Sequence, residues 1–112
     1  MKHLIYICLF AAFSLGMSIP ESGVCVVEFN ASFNSANSVG WIDDLSDCKG
    51  RRVDIGAEPA MQAEHKIVVV PTVIVFNDGE EVERFQANIM MQLEATQKDV
   101  QEAVDEVIMS AF

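Results

Sequence analysis

The feature that most constrains the fold is the strand and hairpin that follow Pro71. Residues Thr72–Phe76 form a continuous apolar run of strand length, and the turn at positions 77–79 reads Asn-Asp-Gly. This turn sequence favours a tight hairpin, so Glu81–Phe85 is the predicted returning strand. The C-terminal half of the chain is therefore expected to contain an antiparallel pair of strands.

The remaining elements alternate between strands and helices. Val24–Phe29 is the predicted first strand and Arg51–Ile55 the second. A short helix is predicted over 60–65, because proline at position 59 suits the first helical position. The last helix begins with a possible capping box, Thr96 and Asp99. Its apolar residues repeat on one stripe, namely Val100, Val104, Val107, Ile108 and Ala111.

A further helix is predicted between the first two strands. It would begin at Asn34 or Asn37, either of which is suited to cap it, and run to about Asp47. Val39, Ile42 and Leu45 would form its inner face. The complete order is then β-α-β-α-β-β-α, which indicates an α/β fold with a mixed central sheet flanked by helices.

The first 18 residues have the layout of a secretory signal peptide. Lys2 and His3 precede an apolar run, Leu4–Phe13, and small residues follow it. The run is short for a membrane span, although an uncleaved anchor is the alternative. We therefore expect a signal peptide over 1–18, one domain over 19–112, a secreted or periplasmic location, and no stable membrane span after cleavage.

The charge balance excludes some classes of partner. The chain has 17 acidic and seven basic residues, and every acidic residue follows position 18. Such a surface repels the phosphates of nucleic acids and anionic lipids, so nucleic-acid binding is not expected. No spacing of metal ligands was found, and neither a metal nor a cofactor is expected.

Three segments resemble the thioredoxin family: VVEFNASFNSAN, VDIGAEPAMQAEHKI and VVVPTVIVFNDGEEV. The resemblance covers the chain from about Val24 to its end and implies a minimal thioredoxin-like fold. It also implies a cis bond before Pro71 in a loop that faces extended substrates. The family's Cys-x-x-Cys motif is absent, because Asn34 and Asn37 stand at the cysteine positions. The family's N-terminal strand and helix have no counterpart.

An amide cannot form a mixed disulfide, so dithiol chemistry at positions 34 and 37 is excluded. The sequence favours a redox-inactive module that binds a protein or peptide. Alternatives are a thiol-disulfide oxidoreductase that uses Cys25 and Cys48, and a structural subunit of an envelope assembly. No catalytic residue is predicted. The expected binding residues are Phe33, Asn34, Ser35, Asn37, Val70, Pro71, Thr72, Met90 and Met91.

The last two of these belong to a long segment between the final strand and helix. Ile89–Leu93 is apolar and suits a recognition surface or a dimer contact. The alternative is that this segment extends the last helix and fills space in the core.

Two pairs of residues are expected to meet across the first two strands. By the resemblance, Glu28 and Arg52 form a buried ion pair, with a surviving acid–base device as the alternative. If they are neighbours, Cys25 and Cys48 reach the same end of the sheet. A disulfide is therefore predicted, with two separate buried thiols as the alternative.

Overall fold

A computed structural model describes residues 18–111 of the chain. The predicted signal peptide lies, except for its last position, outside the described residues. Among the described residues, no helix has both the length and the hydrophobicity of a membrane span. The strands are β1 (Val24–Asn30), β2 (Lys49–Asp54), β3 (Thr72–Asn77) and β4 (Glu80–Gln86), and the helices are α1 (Pro59–Glu64) and α2 (Gln97–Ser110).

The four strands form one mixed sheet in the order β2-β1-β3-β4. β1 is parallel to β2 and antiparallel to β3, which in turn pairs with β4 as the predicted hairpin. Arg52 of β2 lies opposite Glu28 of β1. The predicted α/β class with a mixed sheet is confirmed.

The pleat of the sheet divides the core into two apolar clusters, because successive side chains point to opposite faces. On one face, strand residues pack with Met61 of α1 and with Ile67. On the other face, strand residues pack with α2 and with the segment that joins β1 to β2. The buried apolar strand residues are Cys25, Val27, Phe29, Val53, Ile74 and Phe76 on the first face, and Val26, Val73 and Val75 on the second.

The start of α2 follows the predicted capping box. The Asp99 N–H donates to Thr96 Oγ1 over 3.2 Å, and the Thr96 N–H donates to Asp99 Oδ2 over 2.8 Å. Of the predicted apolar stripe, Val100, Val104 and Val107 are buried, Ile108 is half-buried and Ala111 is exposed.

The predicted helix from residue 34 or 37 to about 47 is wrong. The chain makes two 3₁₀ turns there, the first over Ser32–Asn37 and the second over Ile42–Asp44. Val39 explains the break, because its N–H donates to Glu28 Oε2 over 2.9 Å and its carbonyl accepts from Arg52 Nη2 over 2.6 Å. Backbone groups that are bound by side chains in this way are not available to a helical ladder.

Candidate functional site

Asn34 is buried at the centre of the cluster of predicted site residues. Its Nδ2 lies 3.2 Å from the Met91 carbonyl oxygen, 3.4 Å from that of Val70 and 3.2 Å from Asn30 Oδ1. Its Oδ1 accepts from Asn37 Nδ2 over 2.8 Å. The first 3₁₀ turn has no side-chain cap, so the expected capping role is wrong. The Asn34 amide instead links three separate segments of the chain.

The loop before β3 is shaped by its own hydrogen bonds. The Val70–Pro71 peptide bond is cis. The Thr72 hydroxyl donates to the Val69 carbonyl oxygen over 2.7 Å, and the side chains at positions 70–72 are all buried. Val70, Pro71 and Thr72 were expected to bind a partner through this loop, whose Val70 backbone would face an extended chain. Burial gives these side chains a positioning role, in which they hold the loop.

A second ordered loop, residues 88–92, lies beside Asn34 and is called the methionine loop below. Asn88 Oδ1 accepts from the N–H groups of Met90 and Gln92 over 2.9 and 3.2 Å. The Met91 N–H donates to the Asn88 carbonyl oxygen over 3.0 Å. Ile89 is 98% exposed, Met90 is 68% exposed and α2 begins only at Gln97, so this segment does not extend the helix. Of the alternative, only the packing of Leu93 against the core is confirmed.

The two loops border a groove of about 390 Å³ whose lining carries no charged side chain. Phe33 and Val68 stand at this surface and are 76% and 79% exposed. We call this the apolar groove, and its lining residues are Phe33, Ile55, Gln62, Ile67, Val68, Val69, Val70, Asn88, Ile89 and Met91.

Val68 was not among the predicted site residues. The run Ile67–Val70 contains four consecutive apolar residues, but it precedes β3 and does not belong to a strand. An apolar run that belongs to no helix or strand cannot bury all of its side chains in a regular way. This was the feature of the sequence that could have indicated that Val68 is exposed.

Ser35 lies away from the apolar groove. It lines a second cavity of about 280 Å³, together with Ser32, Ser38, Glu28 and Arg52. Asn37 lines neither cavity and is held by Asn34. Of the predicted binding residues, three line the apolar groove, namely Phe33, Val70 and Met91, and Ser35 lines the second cavity. The others line neither, and of these Met90 is exposed.

The Glu28 carboxylate is buried, whereas the Arg52 side chain is 40% exposed. Arg52 Nε lies 3.4 Å from Glu28 Oε1, and the Val39 N–H donates to Oε2. Burial raises the pKa of Glu28, and the Val39 hydrogen bond and Arg52 lower it to a smaller extent. The ion pair forms as predicted, but only its acidic partner is fully buried.

Cys25 and Cys48 are both free thiols, which differs from the predicted disulfide. The residue opposite Cys25 in β2 is Lys49, so Cys48 is offset by one position. An offset of one residue turns a side chain to the other face of a sheet. Cys25 accordingly packs in the cluster with Phe29, and Cys48 packs against the opposite cluster.

The environments of both thiols disfavour thiolate chemistry. Burial raises the pKa of Cys25. Burial, with smaller contributions from Cys25, Asp47 and Asp105, raises the pKa of Cys48 to about 11. Because the thiolate is the nucleophile, neither residue has the activated character of a redox cysteine. Within residues 18–111, no cluster of three or more His, Cys, Asp or Glu side chains is placed to hold a metal ion.

No protein-family model matches this chain, and no curated protein matches it. Solved thioredoxins are similar to it in structure. A mutant thioredoxin from Halobacterium salinarum NRC-1 is 18% identical, with a TM-score of 0.62 over 76% of this chain and 74% of that one. Schistosoma mansoni thioredoxin is 20% identical, with a TM-score of 0.61 over 77% and 78%. Fasciola hepatica thioredoxin is 19% identical, with a TM-score of 0.55 over 77% and 83%. These likenesses establish that the chain has a thioredoxin-like fold.

Proposed function

We propose that this protein is an exported binding module that uses the apolar groove to hold a segment of another protein. It performs no dithiol chemistry at positions 34 and 37, where both side chains are amides. Its location is secreted or periplasmic, in keeping with the sequence of residues 1–18. The module needs no cofactor.

The observation that carries the proposal is the ordered apolar surface beside Asn34. Ile89, Met90, Phe33 and Val68 are large apolar residues that remain mostly exposed on an otherwise acidic chain. Exposed apolar patches on soluble domains usually mark interaction sites. Hydrogen bonds from Asn34 and within the methionine loop hold this surface in shape, so little ordering is required when a partner binds.

Two competing functions remain as proposals with less support. An oxidoreductase that uses Cys25 and Cys48 needs two thiols that reach each other, whereas Cys25 packs in one apolar cluster and Cys48 packs against the other. A structural subunit of an envelope assembly would use the same exposed surface in a permanent contact. An insulin-reduction assay tests the first of these, because reduction lost on replacing either cysteine would favour the enzyme.

Affinity capture from the native envelope with matched surface variants tests the binding proposal. Ile89→Ser and Val68→Ser alter exposed side chains of the groove, whereas Met109→Ser alters an exposed side chain on α2. We expect the wild type and Met109→Ser to capture the same partner, and the two groove variants to lose most of it with unchanged melting temperatures. Equal capture by all four proteins would refute a role for the groove.

A stoichiometric complex that survives high salt and dilution would favour the structural subunit. Exchange with added free protein on a time scale of minutes would favour the reversible binding module. The size of the captured complex on a sizing column also reports whether the chain itself forms a dimer.

A further inference from the structure

We propose that the apolar groove binds the apolar face of an amphipathic helix that carries basic residues on its flanks, and does not bind an extended strand. This inference rests on the proposed binding function and adds the class of its partner. It follows from which groups in the groove are already occupied, which remain exposed, and how charge is distributed on the chain.

Four backbone carbonyls of the groove, those of Ile67, Val69, Val70 and Met91, accept from donors of the chain itself. Asn34 Nδ2 lies within 3.4 Å of the Val70 carbonyl oxygen and 3.2 Å of that of Met91. The Thr72 hydroxyl donates to the Val69 carbonyl oxygen over 2.7 Å, and Gln62 Nε2 donates to that of Ile67 over 3.4 Å. Addition of a strand depends on main-chain hydrogen bonds offered by the receiving segment. These bonds use carbonyls that an added strand would pair with, which favours a partner whose own backbone is already hydrogen-bonded.

The groups that remain exposed are apolar side chains. Phe33, Val68, Ile89 and Met90 present carbon and sulfur atoms to solvent. A helical partner satisfies its own backbone hydrogen bonds and presents apolar side chains at i, i+3, i+4 and i+7. Such a partner needs apolar side chains to pack against, and the groove exposes them. The flexible Met90 side chain suits the irregular surface of a helix, as methionine does in other helix-binding grooves.

The distribution of charge on the chain indicates which polar residues a bound helix should carry. No charged residue lines the groove, while the described residues carry all 17 acidic side chains and only six basic ones. Three of these six lie together on β2, namely Lys49, Arg51 and Arg52. Glu94 is held beside the groove, because Asn88 Nδ2 donates to its Oε2 over 3.0 Å. Lysine or arginine on the flanks of a bound helix would face a predominantly acidic protein.

Three synthetic peptides of about four helical turns test this inference. The first has leucine at helical spacing with lysine elsewhere, and the second has the same composition with leucine and lysine alternating at strand spacing. The third keeps the helical order and the lysines but replaces each leucine with glutamine. Methyl NMR of ¹³C-labelled methionine reports the site, because Met91 lines the groove, Met90 is its exposed neighbour in the methionine loop, and Met109 is an internal control on α2.

We expect the helical peptide to shift Met90 and Met91 but not Met109, and to bind at least about tenfold more tightly than the other two. The variant Ile89→Ser should weaken this binding about tenfold, while Met109→Ser should leave it unchanged. Circular dichroism should show that the helical peptide gains helix on binding.

Equal or tighter binding of the alternating peptide at Met90 and Met91 would overturn the helical preference and leave the groove's binding role standing. Equal binding of the glutamine peptide would also overturn it, because lysine alone would then explain the attraction. If no peptide shifts Met90 or Met91, the inference fails, and the envelope capture with groove variants separately decides the proposed function.

Discussion

Gly50 of β2 lies directly against the backbone of Ile42 in the second 3₁₀ turn. A Cβ atom on Gly50 would overlap the Ile42 carbonyl oxygen and press on the Ile42 side chain. The absence of a side chain at this position therefore lets the turn approach the sheet closely enough to bury Ile42. The irregular segment between β1 and β2 depends on this contact.

Gly50→Ala is expected to destabilise the domain by about 1–3 kcal/mol, because the obstructing atoms belong to the backbone and cannot rotate away. Gly40→Ala is the matched control, since a Cβ there meets no atom within 4 Å. The control should stay within ~0.5 kcal/mol of wild type. Urea denaturation measures both, and equal stability of the two variants would contradict the close packing of the turn.

Asn34→Ala is expected to lower the free energy of unfolding by about 1–3 kcal/mol, because the buried carbonyls of Val70 and Met91 lose their donor. Asn37→Ala is the control, since its half-buried side chain donates to Asn34 Oδ1, and the loss of that bond should cost less. Hydrogen exchange should show faster exchange in the methionine loop of Asn34→Ala alone. An unchanged loop in that variant would contradict the linking role of the amide.

Glu28→Gln is expected to gain stability relative to wild type as the pH rises from about 4.5 towards neutrality. The pKa of Glu28 is raised above its ordinary value of 4.5, mainly by burial. Between these two values the folded protein holds a proton that the unfolded chain releases, so the Glu28 contribution to stability falls as pH rises. Glutamine does not titrate, and the difference between the two proteins cancels the other acidic residues.

Urea denaturation of both proteins across this pH range provides the measurement. Arg52→Met is the companion variant, because it removes a neighbour that lowers the pKa of Glu28. Its loss of stability should continue to higher pH than in wild type, and at neutral pH the substitution should cost about 1–3 kcal/mol, since Arg52 is partly exposed. A constant difference between Glu28→Gln and wild type would show that Glu28 has an ordinary pKa.

Cys25 and Cys48 are expected to resist thiol reagents in the folded protein near neutral pH, because both are shielded and the pKa of Cys48 is about 11. Both should react when the unreduced protein is denatured. Mass spectrometry of labelled peptides assigns each site. Failure of both to react after denaturation, followed by reaction once a reductant is added, would restore the predicted disulfide.

The elements that depend on residues close together in the sequence were predicted correctly. Thr96 and Asp99 are three residues apart, and the stripe that begins with Val100 repeats within one helix. The prediction of a helix between β1 and β2 was wrong because the residues that decide this segment's conformation are distant in sequence. Val39 is bound by Glu28 and Arg52, which lie 11 and 13 positions away, and no local periodicity reports such bonds.

Several of the predicted site residues lie together in the structure, but which of them are exposed was not predicted. The sequence brings Asn34 close to the loop around Pro71, and the structure places them together. The sequence pattern did not indicate which side chains of this region are exposed. Thr72 is a small polar residue that turns inward to bond the Val69 carbonyl, whereas Val68 is a β-branched residue that turns outward.

The buried position of Asn30 has a consequence for how the protein is produced. Asn30-Ala31-Ser32 is an acceptor sequence for N-linked glycans. The Asn30 Nδ2 atom to which a sugar would attach donates to the Asn34 carbonyl oxygen over 3.2 Å and to Ser38 Oγ over 3.0 Å. A glycan at Asn30 is therefore incompatible with the folded domain, and a eukaryotic secretory host that modified the nascent chain would yield misfolded material. Replacing the exposed Ser32 with alanine removes the acceptor sequence and keeps the Asn30 hydrogen bonds intact.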